Sequence, residues 1–310
     1  MRTGSRIEER TVRLAGFRTR ALQVGGDARP GTGGAPILLL HGYSDSADTW
    51  RRVLALLGDR GQRAVAIDLP GFGRADRLVP DEPMLDQYVR VVHAAVRTFW
   101  DGEAPIIAGN SMGGAVALRC AEERPSPAGV VPIGPAGFDH PGWFRVIEQQ
   151  PLLRWALNDA VPVPAAAMRR ITARVFRTLA YGDGALARRE DLDLFAGHFA
   201  SSRDIRRLLA TGRRLIGELV DPFRLDRIDA PVLLVWGERD RMVTCRGSRH
   251  LLAAIPSARY ERLAGVGHCP QLEVPELVCD LLVGFRCSLR PADWDAAPVG
   301  RPAPALAMAA

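Results

Sequence analysis

Short apolar runs alternate with longer amphipathic stretches along most of the chain. Residues 37–40, 64–67, 106–108, 129–133 and 231–236 are apolar almost throughout, as strands buried on both faces of a parallel sheet are. Between them apolar positions recur at helical spacing: Trp50, Val53, Leu54 and Leu57; then residues 84–100; then Ala115, Val116, Leu118 and Ala121. This order predicts an α/β fold with a mostly parallel central sheet and helices on both faces. Residues 11–25 set Val12, Leu14, Phe17, Ala21 and Leu22 among arginines and threonines, which predicts a hairpin of two edge strands.

After Gly137 the alternation stops for about 85 residues. Residues 151–158, 165–181, 189–200 and 202–219 read as helices interrupted by Pro162 and Pro164. The pattern predicts a helical insertion over 138–222 within a core formed by 1–137 and 223–286. Alternation resumes at 231–236 and continues with a helix over 245–255, a strand over 259–263 and a last helix over 275–285. From Cys287 to Ala310 the Pro/Ala-rich composition predicts a disordered tail.

One turn carries a chemical signal. Gly109-Asn-Ser-Met-Gly113 fits Gly-x-Ser-x-Gly between a strand and a helix, an arrangement that pushes a serine hydroxyl outward and aims the next backbone N–H at a developing negative charge. The pentapeptide alone arises by chance in about one such chain in ten, so its context decides. Asp240 and His268 each follow a predicted strand, as Ser111 does. Strand carboxyl ends carry the sites of open α/β sheets, so the three are expected to converge. Ser111 is the candidate nucleophile, His268 the general base and Asp240 the carboxylate that orients it. The N–H groups of Tyr43 and Met112 are the expected oxyanion donors. His41 reads as a structural histidine and Cys269 as a packing residue. Tyr43, Trp143, Phe144, Trp155, Phe176 and Phe199 are candidate pocket residues, suited to an apolar, partly enclosed site.

Composition removes other readings. All 41 basic residues are arginine; without lysine, neither a Walker A loop nor a pyridoxal Schiff base can be built. The net charge of +6 comes from arginines scattered among nearly as many acids, with no basic stripe interleaved with aromatics, so no nucleic-acid partner is expected. Five cysteines without paired Cys-x-x-Cys spacing indicate neither a disulfide framework nor a zinc site, and fit a reducing cytoplasm. No apolar run is long enough for a signal peptide or a membrane span. The proposed chemistry requires no metal or cofactor. The oligomeric state is open.

The segments 41–43 (His-Gly-Tyr), 68–73 (Asp-Leu-Pro-Gly-Phe-Gly), 109–114, 236–240 (Trp-Gly-Glu-Arg-Asp) and 265–268 (Gly-Val-Gly-His) together resemble the α/β-hydrolase superfamily over roughly residues 10–286. The resemblance implies the α/β-hydrolase fold with a helical cap insertion, Ser-Asp-His as the catalytic order, and a serine hydrolase of the esterase or lipase kind. Serine at 111 departs from the dehalogenase and epoxide hydrolase pattern, which uses a carboxylate nucleophile. The elbow resembles that of carbon–carbon bond hydrolases, but the loop reads His-Gly-Tyr-Ser-Asp-Ser where theirs reads HGxGPG. A small, apolar carboxylic ester is the expected substrate. Carbon–carbon or lactone hydrolysis on the same residues, or a receptor-like binding protein with little turnover, are the alternatives.

Overall fold

The computed structural model describes residues 6–26, 34–138, 164–199 and 201–289. The candidate pocket residues Trp143, Phe144 and Trp155, the helix expected at 151–158 and the tail from 290 lie outside the described residues.

In chain order the core elements are β1 (Glu8–Leu14), β2 (Phe17–Val24), β3 (Ile37–Leu40), α1 (Arg51–Asp59), β4 (Ala64–Ile67), α2 (Met84–Trp100), β5 (Ile106–Asn110), α3 (Met112–Ala121) and β6 (Gly129–Ile133). Then come α4 (Ala165–Ala180), α5 (Arg189–Gly197) and α6 (Ser202–Glu218). The chain returns to the sheet with β7 (Leu233–Gly237), α7 (Ser248–Ala254), β8 (Arg259–Leu263), α8 (Pro270–Glu273) and α9 (Pro275–Ser288).

The eight strands form one sheet in the order β1-β2-β4-β3-β5-β6-β7-β8. β1 and β2 run antiparallel to their neighbours and the rest are parallel. Because side chains alternate across a strand, each apolar run feeds two cores. Leu38, Leu40, Val65, Ile67, Ile107 and Val130 join α2 and α3 on one face. Ile37, Leu39, Ala66, Ile106, Val131 and Val235 join α1 and α9 on the other. Each fully buried aliphatic side chain contributes about 1.5–3 kcal/mol, and this two-sided burial explains why these strands show no polar alternation.

Several expectations need correction. β2 is not an edge strand: it is paired on both sides, with β1 and β4, and its side chains from Thr19 to Leu22 are buried. The stretch 245–255 breaks into a 3-10 turn, Cys245–Gly247, and the shorter α7. The last helix runs to Ser288, so Cys287 is helical and not the start of a tail. The helix expected to reach residue 200 ends at Gly197.

α4, α5 and α6 occupy the described part of the segment between β6 and β7. α6 opens with a capping box in which Ser201 and Asp204 satisfy each other's backbone N–H. It ends at Glu218, whose carboxylate accepts from Met84 N (2.7 Å) and Leu85 N (2.9 Å) at the open end of α2, where a negative charge is favoured. Arg52 of α1 reaches Asp191 of α5 at 2.9 Å. Among the described residues no helix is long and apolar enough to cross a membrane.

Candidate active site

β5 leads directly into Ser111, whose φ of 54° and ψ of −115° lie where few L-residues go and where strain must be held by the surroundings. Here the surroundings are hydrogen bonds: Ser111 N donates to Ile133 O at 2.9 Å, and Ser111 O accepts from Ala115 N at 3.0 Å and Ala136 N at 3.1 Å. The flanking glycines follow from crowding. A Cβ on Gly109 would stand 2.2 Å from the Gly113 carbonyl, and one on Gly113 would stand 2.5 Å from Leu40 O. Met112 opens α3, so its N–H has no acceptor within the helix.

Asp240 and His268 come from the loops after β7 and β8 and meet at 2.7 Å, His268 Nδ1 to Asp240 Oδ2. The other Asp240 oxygen accepts from Met242 N at 2.8 Å and Val243 N at 2.9 Å. A neutral imidazole with Nδ1–H on a carboxylate keeps an unprotonated Nε2, the form a general base needs. The histidine backbone is fastened too. His268 N donates to Ala180 O at 2.7 Å, His268 O accepts from Asn110 Nδ2 at 2.8 Å, and Glu273 accepts from Gly267 N (3.0 Å) and Gly182 N (2.8 Å). The histidine loop is thereby tied to both the serine turn and the end of α4.

The loop after β3 runs beside the serine. A Cβ on Gly42 would lie 3.3 Å from both Ser111 Cβ and Asn110 Oδ1, which brings Tyr43 and Met112 to the same cavity. Two buried groups hold this loop. His41 donates from Nδ1 to Gly42 O (2.7 Å) and accepts at Nε2 from Leu69 N (2.9 Å); burial pushes its pKa down to about 4, so the ring is neutral. Asp68, fully buried, accepts from Ala47 N (2.7 Å), Arg74 N (2.8 Å) and Arg20 Nε (2.9 Å). Arg20 also grips Asp48 through two nitrogens. Burial opposes its charge, but Asp68 and Asp48 outweigh that and hold its pKa above the ordinary value.

Ser111 and His268 line a partly open cavity. Of the predicted pocket residues, Tyr43 and Phe176 line it. Phe199 does not: it is buried behind Phe195, and Phe195, stacked on Phe176 at 3.8 Å, takes the lining position. The sequence reading missed Leu215, Ile216 and Leu219 as lining residues, although their shared helical face was visible, and it missed Met242 and Asp45. Among the described residues the lining contains no arginine. Tyr43 hydroxyl donates to Leu208 O of α6 and its ring packs edge-on against Phe72 at 5.5 Å. Cys269 is buried, its thiol pushed well above the ordinary range by desolvation, which leaves it without nucleophilic character.

Comparison with known proteins agrees with this architecture. Residues 37–281 match the alpha/beta hydrolase family. The uncharacterized hydrolase YugF of Bacillus subtilis is 26% identical over 257 residues, 80% of this chain and 89% of that protein. A 2-hydroxy-6-oxononadienedioate/2-hydroxy-6-oxononatrienedioate hydrolase of Paraburkholderia phymatum is 26% identical over 268 residues, 82% of this chain and 88% of that protein. The crystal structure of a membrane phospholipase A superposes with a TM-score of 0.71 at 21% identity, covering 92% of this chain and 87% of that one.

Proposed function

The chain belongs to the alpha/beta hydrolase family, and on that premise we propose that it is a serine hydrolase cleaving uncharged carboxylic esters through an acyl-enzyme on Ser111. The observation that carries this reading is the strained serine at the mouth of an apolar cavity that also holds His268, itself locked on Asp240 at 2.7 Å.

His268 Nε2 takes the Ser111 proton as the hydroxyl oxygen attacks the ester carbon. The N–H groups of Tyr43 and Met112 receive the oxyanion, each contributing about 3–4 kcal/mol to the transition state. The imidazolium then gives its proton to the departing alcohol. Water, deprotonated by the same nitrogen, releases the acid and restores the serine. Asp240 holds the ring in the required tautomer and stabilises its charged form without taking the proton. Residues 138–222 act as the cap that shapes the pocket, contributing Phe176, Phe195, Leu215, Ile216 and Leu219 to its lining.

Carbon–carbon bond hydrolysis is the second reading, favoured by the Paraburkholderia relative. That relative's name specifies a dioate, whereas the described lining here offers a carboxyl, Asp45, and no arginine to receive one. The test is a p-nitrophenyl ester series from acetate to decanoate run beside a 2-hydroxy-6-oxo-dienoate. Ester turnover with a chain-length optimum, exceeding dienoate turnover, is expected. Cleavage of the dienoate with no ester hydrolysis would reverse the assignment.

A further inference from the structure

Asp45 lies in the loop after β3, two residues beyond Tyr43, and lines the cavity together with Ser111 and His268. It is a carboxyl in an otherwise mostly apolar wall, and the mechanism above gives it no task. Its side chain is almost wholly buried. Two groups satisfy it, Ser46 N at 2.8 Å and the Thr49 hydroxyl, and among the described residues no cation pairs with it. Arg20, the buried guanidinium of this region, is spent on Asp48 and Asp68.

We propose that Asp45 is a specificity-determining residue that rejects substrates carrying a carboxylate in the acyl chain, restricting the site to uncharged acyl groups. The inference rests on the ester-hydrolase reading and names its substrate class. An ionised carboxyl in a site of low dielectric repels a second carboxylate strongly; at about 6 Å and an effective dielectric of ~20, the discrimination amounts to about a hundredfold in rate constant. The same repulsion drives out the acid product, which is itself a carboxylate.

The rejection has a pH dependence of its own. Desolvation pushes the Asp45 pKa up to about 7, with Asp48 and Asp68 adding like-charge repulsion, against the Ser46 and Thr49 hydrogen bonds. The titratable groups around it are Asp48 on its own loop, Asp68 at the end of β4, and Cys269 and His268 beyond β8. Asp48 is held in its charged form by Arg20 and Arg51 despite burial, and Cys269 stays a neutral thiol. Asp45 is therefore neutral below about pH 7 and charged above it.

The experiment compares kcat/KM for p-nitrophenyl hexanoate and for the p-nitrophenyl half-ester of adipic acid between pH 5.5 and 8.5, in the natural protein and in Asp45→Asn. Ionisations shared by both reactions, including that of the base, cancel in the ratio. The hexanoate preference should rise at least tenfold as pH passes 7 in the natural protein and stay flat in Asp45→Asn. A flat ratio in the natural protein, or the same rise in Asp45→Asn, would overturn the proposal. If Asp45→Asn does not fold, Asp45→Ser serves instead, and the natural protein's profile alone still decides against a flat ratio. Failure of the ester-hydrolase reading is distinguishable, because then the hexanoate itself is not hydrolysed at any pH.

Discussion

Replacing Asp68 by alanine tests whether the Asp68 turn is what holds the proposed oxyanion loop. Asp68 is fully buried and accepts from Arg20, Ala47 N and Arg74 N. Breaking one side of a buried ion pair costs about 3–5 kcal/mol; Asp48 keeps its two contacts to Arg20, so the lower figure applies. Ala47 N loses its acceptor in a buried position, adding about 1–3 kcal/mol, while Arg74 N is close enough to solvent to be rehydrated. The sum is about 4–6 kcal/mol. For a chain of this size that lowers the thermal midpoint by roughly 8–12 °C. Thermal and urea denaturation give the stability, and p-nitrophenyl ester turnover at a temperature where the variant stays folded gives the effect on the loop. We expect kcat to fall in the folded variant because Tyr43 shares the loop that Asp68 secures. A midpoint within 2 °C of the natural protein with kcat unchanged would refute both the energetic reasoning and the scaffold role.

Three further outcomes follow from the same geometry. Asp45, whose pKa is raised in the folded state to about 7, costs the fold stability as pH climbs from about 4 to 7; Asp45→Asn should therefore gain up to ~4 kcal/mol relative to the natural protein at pH 8 and little at pH 4, read by urea denaturation. His41 has the opposite sign of dependence. Its folded pKa is lowered to about 4, so its contribution is complete above about pH 6.5 and disappears towards pH 4. In an Asp45→Asn background urea unfolding should show a fall of up to ~3 kcal/mol over that range, which adding His41→Asn should largely remove. Glu273→Ala frees Gly182 N and Gly267 N on either side of the tie between α4 and the histidine loop; kcat should drop about tenfold with little change in KM, and kcat unaltered would mean the clamp does not position His268.

The central strands and the three residues proposed for catalysis were legible because their causes are local. A continuous apolar run implies burial on both faces, and a serine between crowding glycines at a strand-to-helix turn implies the strained φ observed at Ser111. What the sequence hid depends on distant partners. Edge and interior strands differ only by what lies beside them, so nothing local showed that β2 pairs with β4. Phe195 and Phe199 are four residues apart in the sequence, but α5 ends at Gly197 between them, and only the stacking of Phe195 on Phe176 of α4 decides which of the two faces the cavity. Nothing local marked Asp45, because the desolvation that raises its pKa comes from tertiary burial and not from its place in the loop. Glu273 was invisible for the same reason, its two donors lying 91 and 6 residues away.

The most direct test of the central claim is the covalent state of residue 111 during turnover. The natural protein and Ser111→Ala are mixed with p-nitrophenyl hexanoate, quenched in acid within milliseconds to seconds, and measured by intact-mass and peptide mass spectrometry. The account predicts a hexanoyl adduct on Ser111 in the natural protein, absent from Ser111→Ala, whose kcat is lower by roughly 10⁵- to 10⁶-fold. An adduct on another residue, or hydrolysis by Ser111→Ala within tenfold of the natural rate, would contradict it.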